Sequence, residues 1–297
     1  MSETKAAQQR SLAKAVAWML GAILSFSLLA IAVRGLKPVF SANEMLALRS
    51  IGGIVILCVL ALFMPHLRRE FRPHQFWMHA ARNAAHFAGQ FGWVAGVTLL
   101  PLAIVFALEF TVPAWVALLA VIFLAEKMNA GRWAALILGF AGVLIILRPG
   151  FAAYDPAVLI VLGAALGFAV TMIFTKKLTR TNTTFTILLW MNLLQLPLNY
   201  ALSDPLFLAR LPQAAPYAVI LVCVTGLAAH YCLTNSFRHA DALVIVPLDF
   251  LRIPLISGVG YWFYSEPVDA WVFAGSAVIL AGIFLNLRYE AREQEKA

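Results

Sequence analysis

Ten apolar runs of about twenty residues divide this chain, and they leave it few choices of fold. They extend over Ala15 to Val33, Met45 to Met64, Phe76 to Leu99, Leu102 to Leu124, Gly131 to Leu147, Ala157 to Thr175, Phe185 to Leu202, Ala215 to Phe237, Ala242 to Tyr264 and Ala270 to Leu287. At 1.5 Å of rise per residue, about 20 apolar residues cross a hydrocarbon core of about 30 Å. Helices are the natural spanning form, because a backbone in lipid has no water to satisfy its hydrogen bonds. With 62% of residues hydrophobic and 12% charged, too little polar surface remains to clothe a water-soluble domain. The sequence therefore predicts an all-α integral membrane protein of ten transmembrane helices.

The net charge of +8 is distributed as membrane topology requires rather than as a nucleic-acid surface. With the N-terminus inside, fifteen basic residues fall in cytoplasmic segments, among them Lys5, Arg68, Lys127, Lys176, Arg238 and Arg292. Four, Arg34, Lys37, Arg148 and Arg210, fall outside. That asymmetry is the positive-inside pattern and sets both termini in the cytoplasm of a bacterial-type inner membrane. The basic lead Lys5, Arg10, Lys14 suits a signal peptide, but the apolar run continues to Val33 without a clear small-x-small cleavage site. Cys58, Cys223 and Cys232 all lie within spans, lack metal-ligand spacing and read as small apolar filler.

The chain also repeats itself. A shift of 140 residues lays Leu108-Glu109-Phe110 on Leu248-Asp249-Phe250, Glu126 on Glu266, Ala141-Gly142 on Ala281-Gly282 and Leu147-Arg148 on Leu287-Arg288. A shift of 142 lays Leu20 to Phe26 on Leu162 to Phe168. These matches define an N-terminal tail 1–14, a first repeat 15–150, a second repeat 151–288 and a C-terminal tail 289–297. Five spans per repeat is an odd number, so the second copy enters the membrane upside down. Inverted repeats of this kind build secondary transporters that hold substrate near the midplane.

Leu100-Pro101-Leu102-Ala103, Phe110-Thr111-Val112-Pro113, Leu124-Ala125-Glu126-Lys127 and Gly139 through Gly150 resemble the EamA domain of the drug/metabolite transporter superfamily. In the second half Ser265-Glu266-Pro267 and Gly275 through Gly282 fit the same pattern, whereas Arg252 and a shifted Pro254 replace Val112 and Pro113. The resemblance covers nearly the whole chain. It implies two inverted five-helix repeats, alternating access and no ATPase.

Ionisable residues inside spans are the candidates for chemistry. His79, Arg82, Asn83, His86, Gln90 and Trp93 recur every three or four residues on the third helix and share one face. That face lines either a water-accessible cavity or a polar contact between helices. Glu109 and Asp249 occupy equivalent positions in the two repeats. Asp249 can pair with Arg252 three residues on, and either carboxylate can carry a proton through the transport cycle. Arg49, His86, His230 and Tyr231 are further candidates for substrate binding or coupling. Pro113, Pro247 and Pro254 interrupt the carboxylate-bearing helices, which marks them as helix breaks or gates. Trp93, Trp115, Trp190 and Phe110 are either stacking surfaces for a planar ligand or ordinary packing.

Within spans, Arg49, Arg82 and Arg252 outnumber Glu109 and Asp249, and an excess buried cation favours an anionic partner. A carboxylated or zwitterionic substrate follows, with export of an amino acid or an opine-type metal chelator as the leading expectation and a proton gradient as energy source. If Arg49 extends its head to the interface, the excess disappears. Uptake of riboflavin or a nucleoside-like cofactor is the alternative. An enzyme or channel is a third class, but H-E-x-x-H, G-x-S-x-G and P-loop motifs are all missing from the sequence. No cofactor, metal or nucleic acid is expected, and the glycine-bearing last helix of each repeat is a candidate homodimer face.

Overall fold

The computed structural model of the chain describes residues 2–99, 108–147, 156–264 and 270–296, and among them no strand occurs. Helix α1 covers Ser2–Leu36, α2 Ala42–Phe63, α3 Phe76–Leu99, α4 Val112–Leu124 and α5 Ala130–Leu147. Helix α6 covers Ala157–Leu178, α7 Thr184–Ala201, α8 Pro216–His239, α9 Ala242–Ile245, α10 Arg252–Tyr264 and α11 Ala270–Lys296. Short 3₁₀ segments at Pro65–Phe71, Phe207–Gln213 and Val246–Leu251 lie between them. Among the described residues five stretches, Ser11–Val33, Ala42–Phe63, Ala157–Leu178, Pro216–His239 and Ala270–Glu293, are long and apolar enough to cross a membrane, and Val112–Leu124 and Ala130–Ile145 are shorter apolar helices. The protein is a multi-pass, all-helical membrane protein.

The helices pack in a pattern that mirrors the repeat. α1 lies along α8 and α3 along α6, while α2 lies along α7 and α5 along α11. Exchanging each helix for its counterpart 140 residues away turns this set of pairs into itself. α5 and α11 approach closely: a Cβ added at Gly142 would stand 2.6 Å from the Gly275 carbonyl and one at Gly282 would stand 2.8 Å from Leu138 Cβ. These glycines make contacts within one chain.

Two expected helices are interrupted. Leu108 and Glu109 are helical, Phe110 and Thr111 form a turn, and the helix resumes at Val112. Pro113 cannot donate to the Glu109 carbonyl, and the local bonds tighten to Thr111 N to Leu108 O at 3.0 Å and Ala114 N to Thr111 O at 2.9 Å. In the other half the run Ala242 to Tyr264 divides into α9, the 3₁₀ segment and α10, with Pro247 near the start of the 3₁₀ segment. Pro254 sits in the first turn of α10, where helical amides have no intrahelical partner anyway. Both carboxylates therefore lie at helix breaks rather than inside continuous helices. The part of the fourth run at 102–107, along with Pro101, Arg148 and Glu266, lies outside the described residues.

One end of the bundle is sealed by polar contacts between halves. Glu126, in the α4–α5 loop, accepts from the amides of Ala242 at 3.0 Å and Leu243 at 2.9 Å. Arg132 donates to Glu290 at 2.7 Å and to Asp241 at 2.9 Å, and within the second half the Lys176 ammonium donates to the Phe237 carbonyl at 2.7 Å.

Candidate functional site

A cavity of about 340 Å³ lies between α1, α2, α3, α4, α6 and α8, beside the two helix breaks. Most of its wall is apolar, with Met19, Phe26 and Leu29 from α1, Met45 from α2, and Phe168 and Met172 from α6. Its polar groups fall into two sets. The face predicted on α3 supplies Arg82, His86, Gln90 and Trp93 to this wall. His86 and Trp93 are seven residues apart, about 10 Å along the helix.

The first set is rich in donors. Arg82, 1% exposed, donates through Nε to Thr175 Oγ1 at 2.7 Å, through Nη1 to Asn83 Oδ1 at 3.2 Å and through Nη2 to Met191 Sδ at 3.7 Å. Asn83 is buried behind it, donates to the His79 carbonyl at 2.8 Å and does not line the cavity; it props the guanidinium. His79 is likewise buried outside the cavity, against Asn182 at 3.3 Å. Arg49 on α2 is 6% exposed, and among the described residues it has no ion pair, while its Nε is buried without an acceptor. It therefore stays in the cavity wall rather than reaching the interface. Its stem fits because residue 226 on α8 is glycine: a Cβ there would stand 2.5 Å from Arg49 Cγ and Cδ. His86 and His230 meet edge to face with centroids 5.4 Å apart, and each also meets a phenylalanine, Phe168 at 6.2 Å and Phe26 at 5.5 Å.

The second set is a charge triad built across the two halves. Arg252 Nη2 lies 3.1 Å from Glu109 Oε1 and 3.1 Å from Asp249 Oδ2. Trp93 Nε1 donates to the other Glu109 oxygen at 2.8 Å. The guanidinium also sits over the rings of Phe110 at 5.5 Å and Phe26 at 6.0 Å, in range of the ring quadrupoles. The two repeat-equivalent carboxylates thus share one cation.

Of the remaining sequence candidates, Pro113 lines the cavity, whereas Pro247 borders a separate small crevice near Arg132. Tyr231 is 43% exposed and packs edge-on to Trp18 at 5.6 Å, away from the cavity. Trp115 packs against the apolar core and Trp190 donates to the Phe71 carbonyl. Sequence reasoning missed Phe26, Phe168, Thr175 and Gly226. Thr171 and Thr175, hydroxyls four apart in an otherwise apolar helix, were the signal available for one wall.

A multi-pass helical protein with a ligand-sized, largely apolar cavity and a few convergent polar groups belongs to the small-molecule transport proteins. More narrowly, the chain belongs to the EamA-like transporter family, whose profile matches residues 13–148 and again 155–288. It is 31% identical to a riboflavin transporter of Rhizobium johnstonii over 100% of this chain and 98% of that protein. It is 22% identical to an S-adenosylmethionine uptake transporter of Rickettsia felis over 95% of each. A pseudopaline exporter of Pseudomonas aeruginosa is 24% identical over 87% of this chain and 90% of its own length. A solved structure, 18% identical, superposes with a TM-score of 0.77 over 91% of this chain and 94% of its own, the same fold. The chain is a transporter, not an enzyme.

Proposed function

We propose that this chain is a secondary carrier that takes up riboflavin, or a flavin-like planar heterocycle, across a bacterial inner membrane. The observation that carries this reading is the cavity itself: aromatic and aliphatic walls of the right size for one flat ring system, with arginine donors at one end. A flavin presents a flat apolar face, carbonyl acceptors along one ring edge and a hydroxylated tail, and each finds a matching surface. The full-length similarity to a riboflavin transporter supports the same substrate, and both it and the similarity to an S-adenosylmethionine uptake transporter favour a bulky heterocycle over a simple amino acid.

The carrier operates, in this reading, through ten helices in two inverted repeats, 15–150 and 151–288, with both termini cytoplasmic, rocking about the cavity. Proton coupling is part of the proposal, with Glu109 the carboxylate at which it is tested. Riboflavin uptake into proteoliposomes with and without an inwardly directed proton gradient tests both parts. Saturable, gradient-stimulated uptake that loses its gradient dependence in Glu109→Gln is expected. Absence of flavin movement, with transport of a labelled carboxylated chelator instead, would sink the flavin reading. That second reading, a carboxylated substrate moving outward, is favoured by the unpaired Arg49 and by the similarity to a pseudopaline exporter.

A further inference from the structure

We infer that the Glu109–Arg252–Asp249 triad reads the tail of the substrate and excludes a phosphorylated one, so that the carrier accepts riboflavin and rejects its 5′-phosphate. The inference rests on the flavin reading and fixes which way round the ligand lies. At the donor end Phe168 and Phe26 flank the His86–His230 pair, and Phe26 extends from there to the Arg252 guanidinium. There a flat ring finds apolar contact, and Arg49, which has no ion pair among the described residues, faces its carbonyl edge. An arginine without an anionic partner binds neutral carbonyl acceptors by the same donors it would offer a carboxylate.

About 10 Å along α3, at Trp93, the chemistry changes sign. Two carboxylates share a single guanidinium, Trp93 spends its N–H on Glu109, and the ionised group carries a surplus negative charge. Carboxylate oxygens accept hydrogen bonds from hydroxyls, which suits a polyol tail. A phosphate placed there meets like charge in a site where Glu109 and Asp249 side chains are only 14% and 15% exposed, so water screens it poorly. A phosphate at the opposite end would instead meet Arg49 and be held. Selectivity between riboflavin and its phosphate therefore reports the orientation of the ligand.

The test is quenching of flavin fluorescence by the purified protein in lipid nanodiscs, with riboflavin and riboflavin 5′-phosphate titrated separately. Wild type is expected to favour riboflavin by about tenfold or more, the scale of one poorly screened like-charge contact. Glu109→Gln and Asp249→Asn, each of which leaves Arg252 one carboxylate, are expected to narrow that ratio at least about threefold while the protein stays monodisperse. Arg49→Gln is expected to weaken both ligands and to leave the ratio in place. Equal binding of the two flavins, tighter binding of the phosphate, or a ratio untouched by both carboxylate variants overturns the inference while leaving flavin transport standing. Failure of wild type to bind either flavin removes the flavin reading and the inference with it.

Discussion

Arg252 has no counterpart in the first repeat, where the equivalent position is Val112, yet the two carboxylates it bridges are themselves equivalent. Replacing Arg252 with valine leaves Glu109 and Asp249 without their shared cation. Breaking a buried ion pair by removing one partner costs about 3 to 5 kcal/mol. The side chains here are 21%, 14% and 15% exposed, so screening brings the expected loss to about 2 to 4 kcal/mol. Val112→Arg places a guanidinium three residues after Glu109, the same spacing that joins Arg252 to Asp249. The double variant Val112→Arg with Arg252→Val is therefore expected to recover at least half of the lost stability at pH 7, read as thermal unfolding in detergent or nanodiscs. If the double variant is no more stable than Arg252→Val, the two halves are not interchangeable at this triad and the reasoning fails.

Glu126 makes a second prediction, at the sealed end. Glu126→Ala orphans the buried amides of Ala242 and Leu243 at about 1 to 3 kcal/mol each, whereas Glu126→Gln keeps an acceptor and costs less, a contrast visible in thermal scans. Burial lifts the Glu126 carboxyl above the ordinary carboxylate range, against the opposing pull of the Leu243 and Ala242 amides. The folded chain thus holds this proton more tightly than the unfolded one, and stability from Glu126 is present below the unfolded value and lost as pH rises through the folded one; the glutamine variant flattens that dependence. Gly142→Ala sets a methyl 2.6 Å from the Gly275 carbonyl, which must force α5 from α11 at a cost of about 1 to 3 kcal/mol, measurable as a lowered unfolding temperature. Gly226→Ala drives a methyl into the Arg49 stem; because a side chain rather than backbone must move, flavin affinity is expected to fall further than stability, as titration and thermal scans on one preparation would register.

What the sequence made legible was whatever is local. Apolar runs marked the membrane helices, the three-and-four spacing on α3 brought Arg82, His86, Gln90 and Trp93 to one cavity wall, and the i,i+3 rule paired Asp249 with Arg252. The same rule could not find Glu109 as the second partner of Arg252, since 143 residues separate them and only the packing of the halves closes the gap. Tyr231 follows His230 by one residue, and about 100° of helical turn carries it to the opposite surface beside Trp18. Asn83 likewise follows Arg82 and points behind the wall, where it supports the guanidinium instead of facing a ligand. Glu126 accepts from the amides that open a helix, but that helix begins at Ala242 in the other half, a contact no local spacing discloses.

That long-range cap connects the sealed end to the cavity. Glu126 holds the start of α9, and within seven residues the same chain segment passes Pro247, breaks its helix and presents Asp249 to Arg252. Releasing Ala242 and Leu243 frees the segment at one end, while losing the triad frees it at the other. A short α-helical turn followed by a 3₁₀ turn has few internal hydrogen bonds to resist such movement, since a proline removes one donor and each end depends on partners from the first half. One broken helix, held at both ends by carboxylates of the opposite repeat, therefore touches both the sealed end and the cavity.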